Sequence, residues 1–227
     1  MRKILLVIVL SLASSLLFAQ EGLKIGLRFS PIVAIPNATD SSSNVIEGLS
    51  GKVGLSYGLM INYGIAENFG IHTGVHIVSK GFNRTGTVTL RDTLGTVNAT
   101  QNVRMTTLEI PLAVKGRSNE VANGVYISGQ FGLSADISVG YKNEYTAYDP
   151  VDKVAAPSGT KNGSNLLNPV NFTFIFGPGV QVEKDFGTIN AGIIYHRGLT
   201  NMNNKVNFGN QETIKMSYVS LDLGYFF

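Results

Sequence analysis

Apolar and polar residues alternate at every second position over most of the chain, and this period predicts β-strands. The clearest segment is residues 52–65, where seven apolar or aromatic residues from Val53 to Ile65 alternate with small or polar ones. Eight such segments follow one another, at residues 23–36, 52–65, 69–82, 102–116, 124–141, 169–184, 188–200 and 213–227. Helical spacing is nearly absent, so the pattern predicts an all-β protein.

The connections between these segments alternate between long and short. The long ones are residues 37–51, 83–101, 142–168 and 201–212. In an up-and-down barrel every second connection lies at the same end, as in transmembrane barrels, which have short turns at one rim and long loops at the other. Strands of about 14 residues, tilted by about 40–45°, rise roughly 33 Å and can span an apolar band about 25 Å tall. We therefore predict an eight-stranded, antiparallel, up-and-down transmembrane β-barrel.

Closure of this barrel requires its last strand to pair with its first. The chain ends in SYVSLDLGYFF, which should lie beside GLKIGLRFS near the start of the barrel. Both termini then lie at the rim with the short turns, which is the periplasmic rim in transmembrane barrels.

The apolar row should face lipid, because its volume is too large for the interior of eight strands. The other row is rich in glycine and carries charges of both signs, which a narrow lumen tolerates only when they are paired. We expect a polar network in the lumen, with Asp222 neutralised by Arg28 or Lys24. Its proposed members are Lys24, Arg28, Glu109, Lys115, Asp136, Glu183, His196 and Asp222. A salt-bridged plug is the favoured interpretation, and a conducting or substrate-binding lumen is the alternative.

Aromatic residues should mark the two membrane interfaces as girdles. At the short-turn rim the candidates are Tyr63, Phe69, Phe186, Tyr225 and Phe227. Toward the long loops they are Phe82, Tyr141, Tyr145 and Phe172.

Residues 1–19 have a short basic start, an apolar stretch and a small-residue exit at Ala19, which together predict a secretory signal peptide. An uncleaved membrane anchor is the alternative. Residues 20–227 would then form the barrel domain. The chain contains no cysteine, which excludes disulfides and lipid attachment at a cysteine.

Charge and motif content indicate no catalytic, cofactor or nucleic-acid chemistry. With Arg2 and Lys3 set aside as part of the leader, basic residues outnumber acidic ones by one, so no polyanion partner is expected. His72 and His76 are about 13 Å apart along a strand, too far to share a metal ion, so hydrogen bonding in the lumen is the expected use of the histidines. No serine lies in a nucleophile elbow. A lipid-modifying outer-membrane enzyme stays an alternative, with His196 and nearby serines as its candidates.

The fourth segment reads TTLEIPLAVKGR at residues 106–117. Its LEIPL pentapeptide, followed by Lys115, resembles a hallmark of the PorT-like family of outer-membrane β-barrels from Bacteroidetes. This resemblance implies an outer-membrane location, a partner from a secretion system or among surface proteins, and no catalytic residues. In outer-membrane proteins generally, an aromatic last residue such as Phe227 resembles the signal read by the barrel-assembly machinery.

The favoured hypothesis is therefore a non-enzymatic outer-membrane barrel in contact with membrane lipid. Its role would be structural, in assembly or in interaction, through the four long loops. A narrow porin for small solutes is the alternative from another class of function.

Overall fold

The computed structural model describes residues 22–39, 42–90, 95–148, 159–162, 167–202 and 213–227. The predicted leader, residues 1–19, lies outside this part of the chain. The described residues include no helix of the length and apolarity that crossing a membrane demands.

Ten strands are present in the described residues, all in one antiparallel sheet. Eight of them are long and form the barrel. The strands are β1 (Leu23–Thr39), β2 (Leu49–Gly51), β3 (Val53–Ala66), β4 (Phe69–Leu90), β5 (Gly95–Arg117), β6 (Val125–Tyr148), β7 (Gly159–Asn162), β8 (Val170–Lys184), β9 (Gly187–Gly198) and β10 (Thr213–Phe226). Of the two short strands, β2 continues the line of β3 across Lys52, between β1 and β4, and β7 pairs with the extension of β6.

The barrel is closed by pairing of the first strand with the last. The register between β1 and β10 runs from Gly26 opposite Phe226 to Thr39 opposite Thr213. Each remaining barrel strand pairs with the next one along the chain. The predicted fold and the predicted closing pair are therefore confirmed. Closure leaves no open sheet edge in the ring, which a membrane requires.

The connections at one rim of the barrel are short. Residues 67–68, 118–124 and 185–186 form the connections at one rim, together with the start of β1 and the end of β10. We call this rim the short-turn end and the opposite one the long-loop end.

The expected loop at residues 83–101 is wrong, because most of it is β-hairpin. The pairing of β4 with β5 continues without a break from Phe82 opposite Val103 to Leu90 opposite Gly95. β6 also extends to Tyr148, and β7 pairs with it, so part of the expected loop at 142–168 is strand as well. The hairpin is rich in Thr and Val, which favour strands, but it lacks the apolar row that marks a lipid-facing segment.

The outward row of the barrel is apolar and exposed, as predicted. Leu59 is 54% exposed, Leu112 64% and Phe131 58%, and they lie on three different strands. An exposed apolar surface that encircles the sheet identifies a lipid-facing belt.

Eight residues toward the long-loop end form a buried group that we call the apolar cluster. Its members are Ala34, Phe82, Val103, Met105, Tyr141, Leu167, Met202 and Met216. Phe82 and Tyr141 therefore do not belong to an aromatic girdle. Phe82 has the same parity along β4 as the buried Lys80. Tyr141 follows a bulge in β6, where Ser138 and Gly140 pair with consecutive residues of β5, so the side chains beyond it switch faces.

The remaining girdle residues are placed at the barrel rims. At the short-turn end Phe69, Phe186 and Phe227 are 58%, 65% and 63% exposed. Phe172, expected near the long loops, is 48% exposed. The side chain of Tyr145 lies outside the described part of the structure.

The barrel lumen as candidate functional site

The inward row of every strand converges on the barrel lumen. Four of the eight residues proposed from the sequence are buried there, namely Arg28, Glu109, Asp136 and His196, and the other four are half-buried. Strand alternation places them there, since every second side chain of a closed barrel points inward. The space is narrow. A methyl group added to Gly224 of β10 would overlap Met60 Cε of β3.

Glu109 of β5 is the centre of the lumen and is fully buried. Tyr218 donates its hydroxyl hydrogen to Glu109 Oε2. On the other carboxylate oxygen, Oε1, Arg28 Nη1 and His76 Nδ1 each lie at 3.4 Å. One buried carboxylate thus contacts side chains from three other strands across the lumen and has a partner on each of its oxygens.

Arg28 of β1 links Glu109 to a second carboxylate, Asp222 of β10. Its Nε donates to Asp222 Oδ1 and, at 3.0 Å, to Ser30 Oγ. Ser30 in turn donates its hydroxyl hydrogen to the same Asp222 oxygen at 2.6 Å. Arg28 is thus the partner of Asp222, and the buried guanidinium lies between two carboxylates, the condition under which a buried ion is tolerated.

A second ion pair lies nearer the long-loop end. Lys80 Nζ is 2.8 Å from Asp136 Oδ2, and their side chains are each 1% exposed. Ser134 and Thr173 also donate to the Asp136 carboxylate, at 3.1 and 3.2 Å. Lys80 Nζ lies 5.2 Å from the centre of the Tyr218 ring, which connects this pair to the central group.

A third group lies at the short-turn end. Glu183 Oε1 accepts hydrogen bonds from Lys24 at 2.5 Å, Arg117 at 2.9 Å and Gln181 at 3.0 Å. Lys115 Nζ donates instead to the side-chain oxygen of Asn190 at 2.8 Å.

The structure therefore distributes the eight proposed residues over three levels of the lumen. His76 makes the kind of lumen contact that was expected of the histidines. Tyr218 and Arg117 also belong to these groups but were not among the proposed residues. Tyr218 has the same parity as Asp222, so strand periodicity could have placed it in the lumen. The partners of these residues come from strands distant in sequence, which periodicity cannot identify.

Ser220, His196 and Glu109 lie in an order reminiscent of a catalytic triad. Ser220 Oγ is 3.3 Å from His196 Nε2, and His196 Nδ1 is 3.6 Å from Glu109 Oε2. The second distance exceeds a hydrogen bond, and the serine hydroxyl is fully buried. The His196 ring stacks on Tyr218 with centroids 4.0 Å apart. These contacts pack the three side chains together inside the lumen.

The histidines do not form a metal site in the described part of the chain. The ring centroids of His72 and His76 are 6.4 Å apart, closer than the spacing of their backbones suggested. His72 Nδ1 lies 2.6 Å from Asn62 Oδ1. No group of three or more His, Cys, Asp or Glu side chains that could hold a metal is found among the described residues.

A cleft of about 220 Å³ opens at the short-turn end. Its lining includes Lys24, Asn62, Tyr63, Lys115 and Arg117. At the opposite end of the lumen, the apolar cluster fills the interior.

Comparison with known proteins agrees with this architecture. A family model described as the outer membrane protein beta-barrel domain matches residues 18–204. A search of curated proteins finds no match.

Similar solved structures are bacterial barrels of low sequence identity. Ail, the attachment invasion locus protein of Yersinia pestis, is 10% identical with a TM-score of 0.38, over 92% of this chain and 100% of that one. Neisserial surface protein A is 9% identical with a TM-score of 0.44, over 91% and 98%. The outer membrane protease OmpT from Escherichia coli is 9% identical with a TM-score of 0.46, over 91% and 97%. Sequence identities and TM-scores this low say nothing about the activity of this protein. Because the family model covers well over half of its residues, the chain belongs to the outer membrane protein beta-barrel domain family.

Proposed function

We propose that this protein is a closed, non-conducting and non-enzymatic barrel of the outer membrane, with a structural, assembly or interaction role. The observation that carries the proposal is the filling of the lumen. Ion pairs occupy its middle, and the apolar cluster occupies its long-loop end.

The buried ion pairs and the apolar cluster both oppose the flow of ions through the lumen. A conducting water column would have to break the contacts of Arg28 with Asp222 and Glu109, which would leave buried charges without partners. It would also have to wet the apolar cluster, and hydrophobic constrictions close pores by excluding water. The narrow porin is therefore the weaker alternative.

The interaction role is supported by the extent of the strands beyond the ring. β4 has 22 residues and β5 has 23. At roughly 3.3 Å per residue they are about 70 Å long, well beyond what a membrane needs. A projecting hairpin and long connections are the parts of a scaffold that usually carry function. A secretion-system component or a surface protein is the proposed partner class, consistent with the PorT-like resemblance of the LEIPL segment.

The orientation and the assembly route belong to the same proposal. The signal peptide at residues 1–19 directs export, both termini face the periplasm, and the long-loop end faces outward. Phe227 is the residue proposed to be read by the barrel-assembly machinery.

Conductance across a planar lipid bilayer tests the closed lumen. The refolded protein should insert without producing discrete current steps, with folding verified by its heat-modifiable mobility on gels. A variant carrying Phe82→Ala and Tyr141→Ala, which empties part of the apolar cluster, serves as the matched control and should pass current more often. Regular current steps from the unmodified protein would favour the porin.

A further inference from the structure

We propose that the cleft at the short-turn end is a binding site for a phosphate-type oxyanion. We call it the basic cleft and define it by Lys24, Lys115, Arg117 and the Asn62 and Gln181 side chains that line it with them. Its position at the opposite end from the apolar cluster makes the proposal independent of whether the lumen conducts.

The basic cleft contains more positive charge than its carboxylates neutralise. Lys24 and Arg117 share a single carboxylate oxygen of Glu183. The side chain of Glu67, at the rim, is exposed, and Arg117 Nε contacts its backbone carbonyl at 3.3 Å rather than its carboxylate. Lys115 is the third cation, and Glu183 is the one carboxylate of the described residues that lies within 4.0 Å of any of the three.

Lys115 is the most informative member of the cleft. Its Nζ donates to Asn190 Oδ1 and lies 5.6 Å from the centre of the Phe226 ring, but no carboxylate of the described residues is within 4.0 Å of it. Lys115 lines the cleft and has a neutral hydrogen-bond acceptor but no carboxylate partner, so its charge can serve an anion bound there.

The size and chemistry of the cleft fit a phosphate group with a small substituent. A volume of about 220 Å³ is large enough for such a group. Arg binds phosphate through two parallel hydrogen bonds, and Lys binds it as a point charge.

The phosphate could come from a soluble phosphate compound or from a lipid headgroup. Tyr63 and Phe69 line the cleft and are also exposed at the rim, by 44% and 58%. The cleft therefore opens next to the level at which lipid headgroups surround the barrel.

Isothermal titration of the full folded barrel, in an uncharged detergent at constant ionic strength, tests the proposal with inorganic phosphate as the probe. Saturable binding at one site is expected, and Lys115→Gln should weaken it by about tenfold or more, since a charge-assisted hydrogen bond is lost. Lys115→Arg should preserve binding. Lys142→Gln is the matched control, because Lys142 lies on the extension of β6 at the long-loop end and pairs with Glu144 at 2.5 Å.

A second arm distinguishes the two sources. Short-chain phosphatidylglycerol is added to the same samples, and its displacement of bound phosphate would identify the lipid headgroup as the ligand. Phosphate binding without displacement would identify a soluble compound. Absence of saturable binding by both probes, or equal binding by the correctly folded Lys115→Gln and Lys142→Gln variants, would overturn the proposal.

Discussion

At the scale of single residues, Glu109 connects more strands across the lumen than a simple ion pair does. Its two oxygens contact side chains from β1, β4 and β10, and its carboxylate is fully buried. Burial of these charges offsets much of the stability that their attraction provides. Removing the charge of Glu109 alone should nevertheless destabilise the barrel, because its buried partners, such as Arg28, would keep their own polar groups and lose this contact.

Glu109→Gln should destabilise the barrel. Arg28 would keep Asp222 but lose one of its two carboxylates, so we expect a loss at the lower end of the range for a broken buried pair, about 3 kcal/mol of unfolding free energy. Urea titration of the protein in lipid vesicles, with the folded fraction resolved on gels, measures this change.

Glu144→Gln is the control for that measurement. Glu144 lies at the long-loop end, where its pair with Lys142 is exposed to solvent, so its urea midpoint should not move. Equal midpoints for the two variants would contradict the importance assigned to the Glu109 contacts.

At the scale of the elements, each barrel strand divides into a lipid-facing row and a lumen-facing row. β3 shows this within one strand, where Leu59 is 54% exposed while its neighbour Met60 is 2% exposed. The same alternation also explains which sequence-based expectations failed. The bulge in β6 changes the face of Tyr141, and the Thr- and Val-rich ends of β4 and β5 lack an apolar row because they extend beyond the belt.

A charge introduced on the lipid-facing row should cost an amount that depends on depth. Leu59→Arg, near the middle of β3, should reduce the unfolding free energy in lipid vesicles by about 2–4 kcal/mol. Val53→Arg, on the same row at the beginning of β3, should cost about 0–1 kcal/mol, because it lies near an interface. The same urea titration measures both. Equal costs for the two variants would contradict a membrane belt centred on Leu59.

At the scale of the whole molecule, closure depends on the last strand. β10 pairs with β1 and β9, and the backbone nitrogen of Phe227 donates to the carbonyl oxygen of Ile25 at 3.0 Å. The Phe227 ring is 63% exposed and packs edge-on against Tyr225 with centroids 5.2 Å apart. It contributes little buried surface, so its main value should lie in recognition during assembly.

Phe227→Ala should therefore separate assembly from stability. In cells, the amount of heat-modifiable barrel in the outer-membrane fraction should decrease several-fold, while purified protein should refold in detergent with an unchanged yield. Phe186→Ala, an exposed aromatic at the same rim, is the control and should assemble normally. Normal assembly of Phe227→Ala would contradict the role assigned to this residue.

The sequence by itself determined the parity of nearly every strand, and with it the closed barrel and the inward position of residues such as Glu109 and Asp222. The prediction succeeded because lipid surrounds the barrel and the lumen is narrow. Every strand must therefore alternate apolar residues that face lipid with small or polar residues that face the lumen. Only the tertiary structure decided which charges meet. Arg28 pairs with Asp222, Lys24 pairs with Glu183, and Lys115 donates to the side-chain amide of Asn190. These contacts depend on strand register, strand tilt and the reach of each side chain across the lumen. Position along a single strand does not specify any of these quantities.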